Sequence, residues 1–433
     1  MKKTINLKYW PGFLSAYILL FFPFSYLMRL NELNIGFLKV VLPIIYFLGI
    51  IIILFAFSMS NRNLLNKISN LNFFYVYLFF LASVLILTSF FSIEIHTTFF
   101  KVLFSVLSLG ITFTVFYIIQ YIYLEREHWH RFFEISSLLF LVLIIIGQLT
   151  ITNWNAGVGG IRFSGGTNPN TIAYFVLYLL IQTHINALIL KKWTKLQKLI
   201  WLLSFIVILW TFSRSTLLIL FIIYSLYYFY KLFIRVSNEL EYGVNIQRKA
   251  AFIFRFVGVS LIIYFIYINL FKFEKYTLIE QRLFNITNVS SRSIAWNVLL
   301  DYFNKNPVLG GIGWWESSYI LASDNIETMA NSPHNLFVRL LGETGILGLI
   351  TILILPAIIC MFLIFNNASI AKQFNSYIGF YLFSVIIAIF IAQLLEDKYL
   401  VGVFDISNNI IIWFMSFSLI VYHQSKNKKV EIT

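Results

Sequence analysis

Long apolar runs broken by short polar turns dominate this chain. Residues 13–30, 36–59, 71–91, 97–123, 133–152, 168–190, 199–212, 216–234, 251–271, 336–364, 375–395 and 408–422 each read as a membrane-crossing segment. Roughly 17–25 apolar residues let a helix cross the hydrocarbon core, and a helix satisfies its own backbone hydrogen bonds there. The pattern predicts an all-α, polytopic membrane bundle of about 12 helices. One connection is far longer than the rest, spanning residues 272–335. Inside it, Ser290 to Phe303 repeats apolar positions at helical spacing. That spacing predicts an amphipathic helix on the membrane surface, ending before Pro307.

The same pattern divides the chain into N-terminal helices over 1–152, a core over 153–365 that holds the long loop, and C-terminal helices with a tail over 366–433. Composition agrees, with 60% hydrophobic residues against 12% charged. The net charge of +14 by itself would admit nucleic acid, but its distribution argues against that partner. Lys2, Lys3, Lys8, Arg62, Lys67, Lys191, Lys192, Lys195, Lys198, Arg235, Arg248, Lys249, Lys426, Lys428 and Lys429 fall on alternate connections. This is the charge asymmetry of a multi-pass protein with both termini in the cytoplasm and the long loop outside. The excess charge also attracts anionic lipid. The first span, from about Phe13, is too long for a cleavable signal and lacks a small-residue cleavage site. Cys360 is the single cysteine and lies within a span, so neither a disulfide nor a thiolate metal site is available.

Polar chemistry collects on the outer connections. Residues 153–170 carry glycines at 157, 159, 160, 165 and 166 around Arg162, the one basic residue of that loop. Glycine there lets backbone approach a ligand, and free N–H groups can hold an anion; a flexible turn is the plainer reading. Phe212-Ser-Arg-Ser-Thr216 sets Arg214 at the membrane boundary, where a guanidinium is costly unless it is used or snorkels to headgroups. Arg292 opens the amphipathic helix, and Trp314 and Trp315 suit either headgroups or the face of a sugar ring. In Asn331-Ser-Pro-His-Asn335, Ser332 suits an N-cap and Pro333 the first helical position, which predicts His334 in the first turn of the next helix. The helix dipole there disfavours imidazolium and leaves a base of unperturbed pKa about 6.5 neutral near pH 7. Gly342, Gly345 and Gly348 predict close helix packing. Glu343, on the opposite face from His334, is expected to cap or brace a neighbouring segment, with Arg339 as one possible partner. Arg29, Lys39 and Lys101 read as interfacial anchors, or else as the lining of a lipid entry path.

In order and spacing, Arg162-Phe-Ser-Gly-Gly-Thr-Asn-Pro-Asn170, Ser213-Arg214-Ser215, Arg292-x-x-x-Trp296, Pro307-x-x-Gly310 and Pro333-His334-Asn335…Gly342-Glu343-x-Gly345 make the chain resemble the O-antigen ligase and polysaccharide polymerase superfamily of bacterial membrane glycosyltransferases. The resemblance implies an enzyme of the cytoplasmic (inner) membrane with an extracytoplasmic site. Its donor would be a glycan on undecaprenyl diphosphate, its acceptor a glycan or lipid A core sugar, and its partners other polysaccharide-assembly proteins. It implies His334 as the catalytic residue and Arg214 and Arg292 as diphosphate ligands, with Arg162 a looser match. No cofactor is expected. The outer acidic residues form no Asp-x-Asp pair, which predicts a metal-independent reaction. A surface-polysaccharide (O-antigen, capsule or exopolysaccharide) polymerase is the preferred reading. A ligase attaching polysaccharide to lipid A core is the first alternative. A lipid-linked oligosaccharide transporter is the alternative of another class, disfavoured because the ionisable cluster sits at the outer boundary and no internal repeat is evident.

Overall fold

The computed structural model of the chain describes residues 71–124, 128–150, 163, 169–241, 289–323, 335–370, 376–394 and 411–422. Among the described residues every regular element is an α-helix. In chain order these are α1 (Asn72–Ser89), α2 (Ile95–Leu124), α3 (His128–Thr150), α4 (Pro169–Ile189), α5 (Lys195–Thr211), α6 (Arg214–Glu241), α7 (Val289–Lys305), α8 (Ser317–Ser323), α9 (Leu336–Ile370), α10 (Ser376–Ala392) and α11 (Ile411–Tyr422). Asn72–Ser89, Ile95–Ile118, Ile172–Ile189 and Leu336–Ile364 are long and apolar enough to cross a membrane, and Phe133–Gln148, Tyr377–Ala392 and Ile411–Tyr422 are shorter apolar helices. The spans read at 13–30, 36–59 and 251–271 lie outside the described residues.

The elements follow from local chemistry. Thr194 caps α5 with a full capping box: its hydroxyl accepts from Gln197 N–H while the Gln197 side chain accepts from Thr194 N–H, both at 3.1 Å. The short run read as 199–212 is therefore a complete helix of 17 residues. At its far end Phe212 takes a left-handed conformation (φ 50°), which stops α5 and turns the chain directly into α6. Pro356 lies inside α9, where it removes one hydrogen-bond donor.

α4 is the centre of the bundle and is buried along nearly all of its length. It packs against α5, α6, α3 and α10, while α9 packs against α10, α1 and α7. Neutral side chains tie α2, α4 and α11 together. Gln120 Nε2 donates to the Trp413 carbonyl (2.9 Å), Ser416 Oγ to Gln120 Oε1 (3.1 Å), and Trp413 Nε1 to Gln182 Oε1 (3.0 Å). Such bonds act as glue between helices that have little hydrophobic reason to prefer one another over lipid.

α7 departs from the surface-lying expectation. Ala295 and Leu299 are fully buried, and Leu299 packs with Ile312, Ile320, Val338 and the Cα face of Gly342. Part of the apolar stripe that reads as membrane-facing is thus covered by α9 and the residues after α7, while Ile294 stays exposed. The helix does end before Pro307, as predicted.

Candidate functional site

Arg214 opens α6, and the turn before it is built to present it. Ser213, Ser215 and Thr216 are buried, and Thr216 Oγ1 donates to Ser213 Oγ at 2.7 Å. The Ser213 carbonyl accepts from Leu217 N–H at 3.0 Å, so the hydroxyls and the first helical turn close on one another. Arg214 is left exposed at the helix start. Phe163 is buried against this turn: its N–H donates to the Trp210 carbonyl (3.0 Å) and its ring packs on Trp210. Its neighbour Arg162 lies outside the described residues.

α9 starts later than its sequence suggests. Asn335 is the cap, its Oδ1 accepting from Phe337 N–H (3.0 Å) and Val338 N–H (3.2 Å), and the helix begins at Leu336. The first-turn position read for His334 is thus corrected to the residue before the cap. Asparagine is as good a cap as serine, and proline at 333 made Ser332 look the better choice. Ser332, Pro333 and His334 themselves lie outside the described residues. Leu336 N–H, which a helix start would leave unpaired, donates to the Gln393 carbonyl just past α10 at 3.0 Å.

The glycine spacing in α9 makes a break rather than only a packing face. Gly345 stands at φ 66° and ψ −167°, dividing the helix into two segments. The chain after α7 fills the gap. Gly311 and Ile312 N–H donate to the Gly342 carbonyl (3.3 and 3.4 Å), and Gly313 N–H to that of Glu343 (3.1 Å). On the other side Ile346 and Leu347 N–H donate to the carbonyls of Pro307 (2.9 Å) and Val308 (3.1 Å). The backbone groups exposed by the break are met by protein, so the break itself is closed to a ligand. It also explains the Pro307-x-x-Gly310 pattern. A Cβ on Gly310 (φ 71°) would sit 2.6 Å from Gly345 N, and one on Gly345 would sit 2.5 Å from Gly310 N.

Beyond that contact, residues 313–317 form a strap held by two carboxylates. Buried Glu343 accepts from Arg339 Nε (2.9 Å), Trp315 N–H (3.0 Å), Ser317 N–H (3.3 Å) and Ser317 Oγ (2.6 Å). The Arg339 guanidinium lies 3.6 Å from the centre of the Trp315 ring. Glu343 therefore braces a neighbouring segment with Arg339 as its partner, as expected from its face. Buried Glu316 takes a hydrogen bond from Lys101 Nζ (2.6 Å) and one from Thr97 Oγ1 (2.9 Å), both on α2. Lys101 is thus an ion-pair partner, which corrects its reading as an interfacial anchor. Trp314 is also corrected: it is buried, and its indole N–H donates to Ser105 Oγ at 3.0 Å, facing neither headgroup nor sugar. The pairing of Lys101 with Glu316 and the role of Gln393 are not legible in the sequence, because several acidic and basic residues fall on the same predicted side and spacing does not choose between them.

Several helix starts lie at the same end of the bundle. α6 and α10 run antiparallel, with Tyr230 stacked on Phe380 (3.9 Å) and Tyr227 against Tyr381 (5.2 Å). About three and a half turns on from those contacts, the start of α6 at Arg214 is level with Gln393, the residue that holds the start of α9. α7 and α9 run in the same direction, since Leu299 faces Gly342 and Pro307 and Val308 bond Ile346 and Leu347. About two turns back from Leu299 and Gly342, the backbone of Arg292 on α7 is level with Asn335. Three of the candidate positions, or their immediate neighbours, therefore share one end. The α4–α5 turn, with Lys191, Lys192, Lys195 and Lys198, lies at the other.

Residues 199–353 match the family described as O-Antigen ligase. The match runs from α5 through the first half of α9 and so includes Arg214, Arg292, His334 and the strap. No curated protein matches the chain.

Proposed function

We propose, from an O-antigen ligase domain at residues 199–353, that this chain is a membrane glycosyltransferase of surface-polysaccharide assembly. It takes a glycan carried on undecaprenyl diphosphate and moves it to an acceptor sugar hydroxyl at the outer face of the cytoplasmic membrane. The acceptor is a second lipid-linked glycan, which makes the enzyme a polymerase. The placement of the starts of α6, α7 and α9 toward one end of the bundle supports this reading, because those starts bear or adjoin Arg214, Arg292 and His334.

The roles follow from the chemistry of the step. A sugar hydroxyl is a weak nucleophile, so neutral His334 takes its proton as the oxygen attacks the anomeric carbon; such base catalysis is worth about 10²–10⁴-fold. The bond from that carbon to the diphosphate oxygen breaks, and undecaprenyl diphosphate leaves with the electron pair. Arg214, Arg292 and Arg162 neutralise the departing diphosphate through planar, bidentate hydrogen bonds. Arg214 stands at a helix start, where backbone N–H groups also favour an anion. Single displacement inverts the anomeric configuration. The 153–365 segment is the catalytic core in this proposal, with helices 1–152 and 366–433 supporting it.

Purified protein in vesicles, supplied with undecaprenyl-diphosphate-linked glycan as both donor and acceptor, tests the reading. The expected result is a ladder of multiply added units with inverted linkages, formed equally well in chelator. No transfer, or transfer that stops in chelator and returns with a divalent ion, would contradict it. A ligase would instead use only a lipid A core acceptor, and a deletion strain would then leave cores bare while polymer accumulated on its carrier.

A further inference from the structure

The strap 313–317 is bonded on two sides, and the two sides belong to different parts of the chain. From α9 it is held by Glu343 and Arg339, inside the matched segment. From α2 it is held by Lys101 and Thr97, which lie far outside that segment. Between these grips Trp315 adopts a left-handed backbone (φ 70°), rare for a bulky aromatic residue and kept only where surroundings over-determine it. Gly313 (φ 100°) threads a slot beside the α1–α2 turn, where a Cβ would come within 2.4 Å of Ser92 Cβ and 2.7 Å of Thr98 Oγ1.

The strap is also continuous with the loop that fills the α9 break, and that loop follows directly from α7. Its position therefore sets the register of α7 against α9, and with it the level of Arg292 relative to the start of α9. The pair Lys101–Glu316 fixes this register from outside. Glu316 is almost fully buried, and its charge is matched at 2.6 Å by the Lys101 ammonium, itself about one-third exposed. Removing the lysine leaves a buried carboxylate with a single neutral donor among the described residues, Thr97, and drives the strap toward water.

We infer that Lys101 is a positioning residue for glycan transfer: through Glu316 and the strap it holds α7 and the start of α9 in catalytic register. This inference rests on the proposed transferase reading. It adds to that reading an element of the N-terminal helices on which the matched core depends.

The test is steady-state transfer by the full-length protein in vesicles with an undecaprenyl-diphosphate-linked glycan donor, comparing Lys101→Met, Lys101→Arg, wild type and His334→Ala. Misplacing reacting groups by about 1 Å can cost on the order of 100-fold. Lys101→Met is expected to lower kcat per folded protein at least about tenfold, with the donor KM within about twofold, beyond whatever the unpaired buried carboxylate takes from the melting temperature. Lys101→Arg, which keeps the charge, restores kcat to within about threefold of wild type. A purely structural role would instead lower the melting temperature and the folded fraction in step with activity. Unchanged kcat in Lys101→Met, or a loss fully matched by unfolded protein, overturns the inference. Should that variant not insert, Thr97→Val removes one bond to the same carboxylate and is expected to lower kcat about threefold, with unchanged kcat overturning the inference. Inactive wild type would sink the transferase proposal itself. Active wild type and inactive His334→Ala, beside a fully active Lys101→Met, would sink only this inference.

Discussion

Glu343 shows what one buried carboxylate can organise. It is almost fully buried yet accepts four hydrogen bonds, one of them from the Arg339 guanidinium stacked on Trp315. Charge-assisted bonds of this kind are strong, and removing one partner leaves a buried charge behind. Glu343→Ala is therefore expected to cost about 3–5 kcal/mol of stability. Glu343→Gln should cost visibly less, because an amide oxygen in the Oε1 position still accepts from Ser317 and Arg339 and only the Trp315 N–H bond is lost. Thermal unfolding of both variants in one detergent checks the order. Part of this was legible: Arg339 and Glu343 are four residues apart, a spacing at which helical side chains meet. The partners at 315 and 317 were not, because sequence spacing carries no information about contacts across a loop. The cap of α9 was misread for a local reason, since Ser332 and Asn335 both suit the position and only the backbone decides between them.

α9 is the element whose pattern misled most. Three glycines at intervals of three read as a packing face, and Gly342 does receive Leu299. Gly345 is instead a break, and periodicity cannot reveal one because both halves keep the same apolar character. The nearby run 307–313 supplies the missing hydrogen bonds from outside the helix. Gly345→Ala is expected to be far more damaging than the usual Gly-to-Ala change. It would place a Cβ 2.5 Å from both Gly310 N and the Val308 carbonyl oxygen, at a positive φ that alone costs about 1–3 kcal/mol. A melting temperature at least several degrees below wild type, with transfer lost, is the outcome to look for in paired unfolding and activity measurements. Unchanged melting would mean that the two segments do not lock as described. Among the described residues the helices were largely legible: α5, the shortest apolar run, proved complete because Thr194 and Gln197 cap it.

For the whole molecule, the alternation of basic connections and the placement of helix starts at one end point the same way. The end bearing Arg214, the start of α9 and the strap is opposite the lysine-rich α4–α5 turn. Orientation can be tested because Cys360, the single cysteine, is buried. In a Cys360→Ala background, a cysteine replacing exposed Val308 should react with a membrane-impermeant maleimide on intact cells, and one replacing exposed Lys192 only after permeabilisation. The reverse labelling would turn the site end toward the cytoplasm and remove its access to an outer-leaflet donor.

The most direct measurement is glycan transfer by purified His334→Ala beside wild type, with an undecaprenyl-diphosphate-linked donor. The account expects the wild type to transfer and the variant, equally well folded, to lose at least about 100-fold in kcat. A folded His334→Ala protein that transfers at the wild-type rate would contradict it.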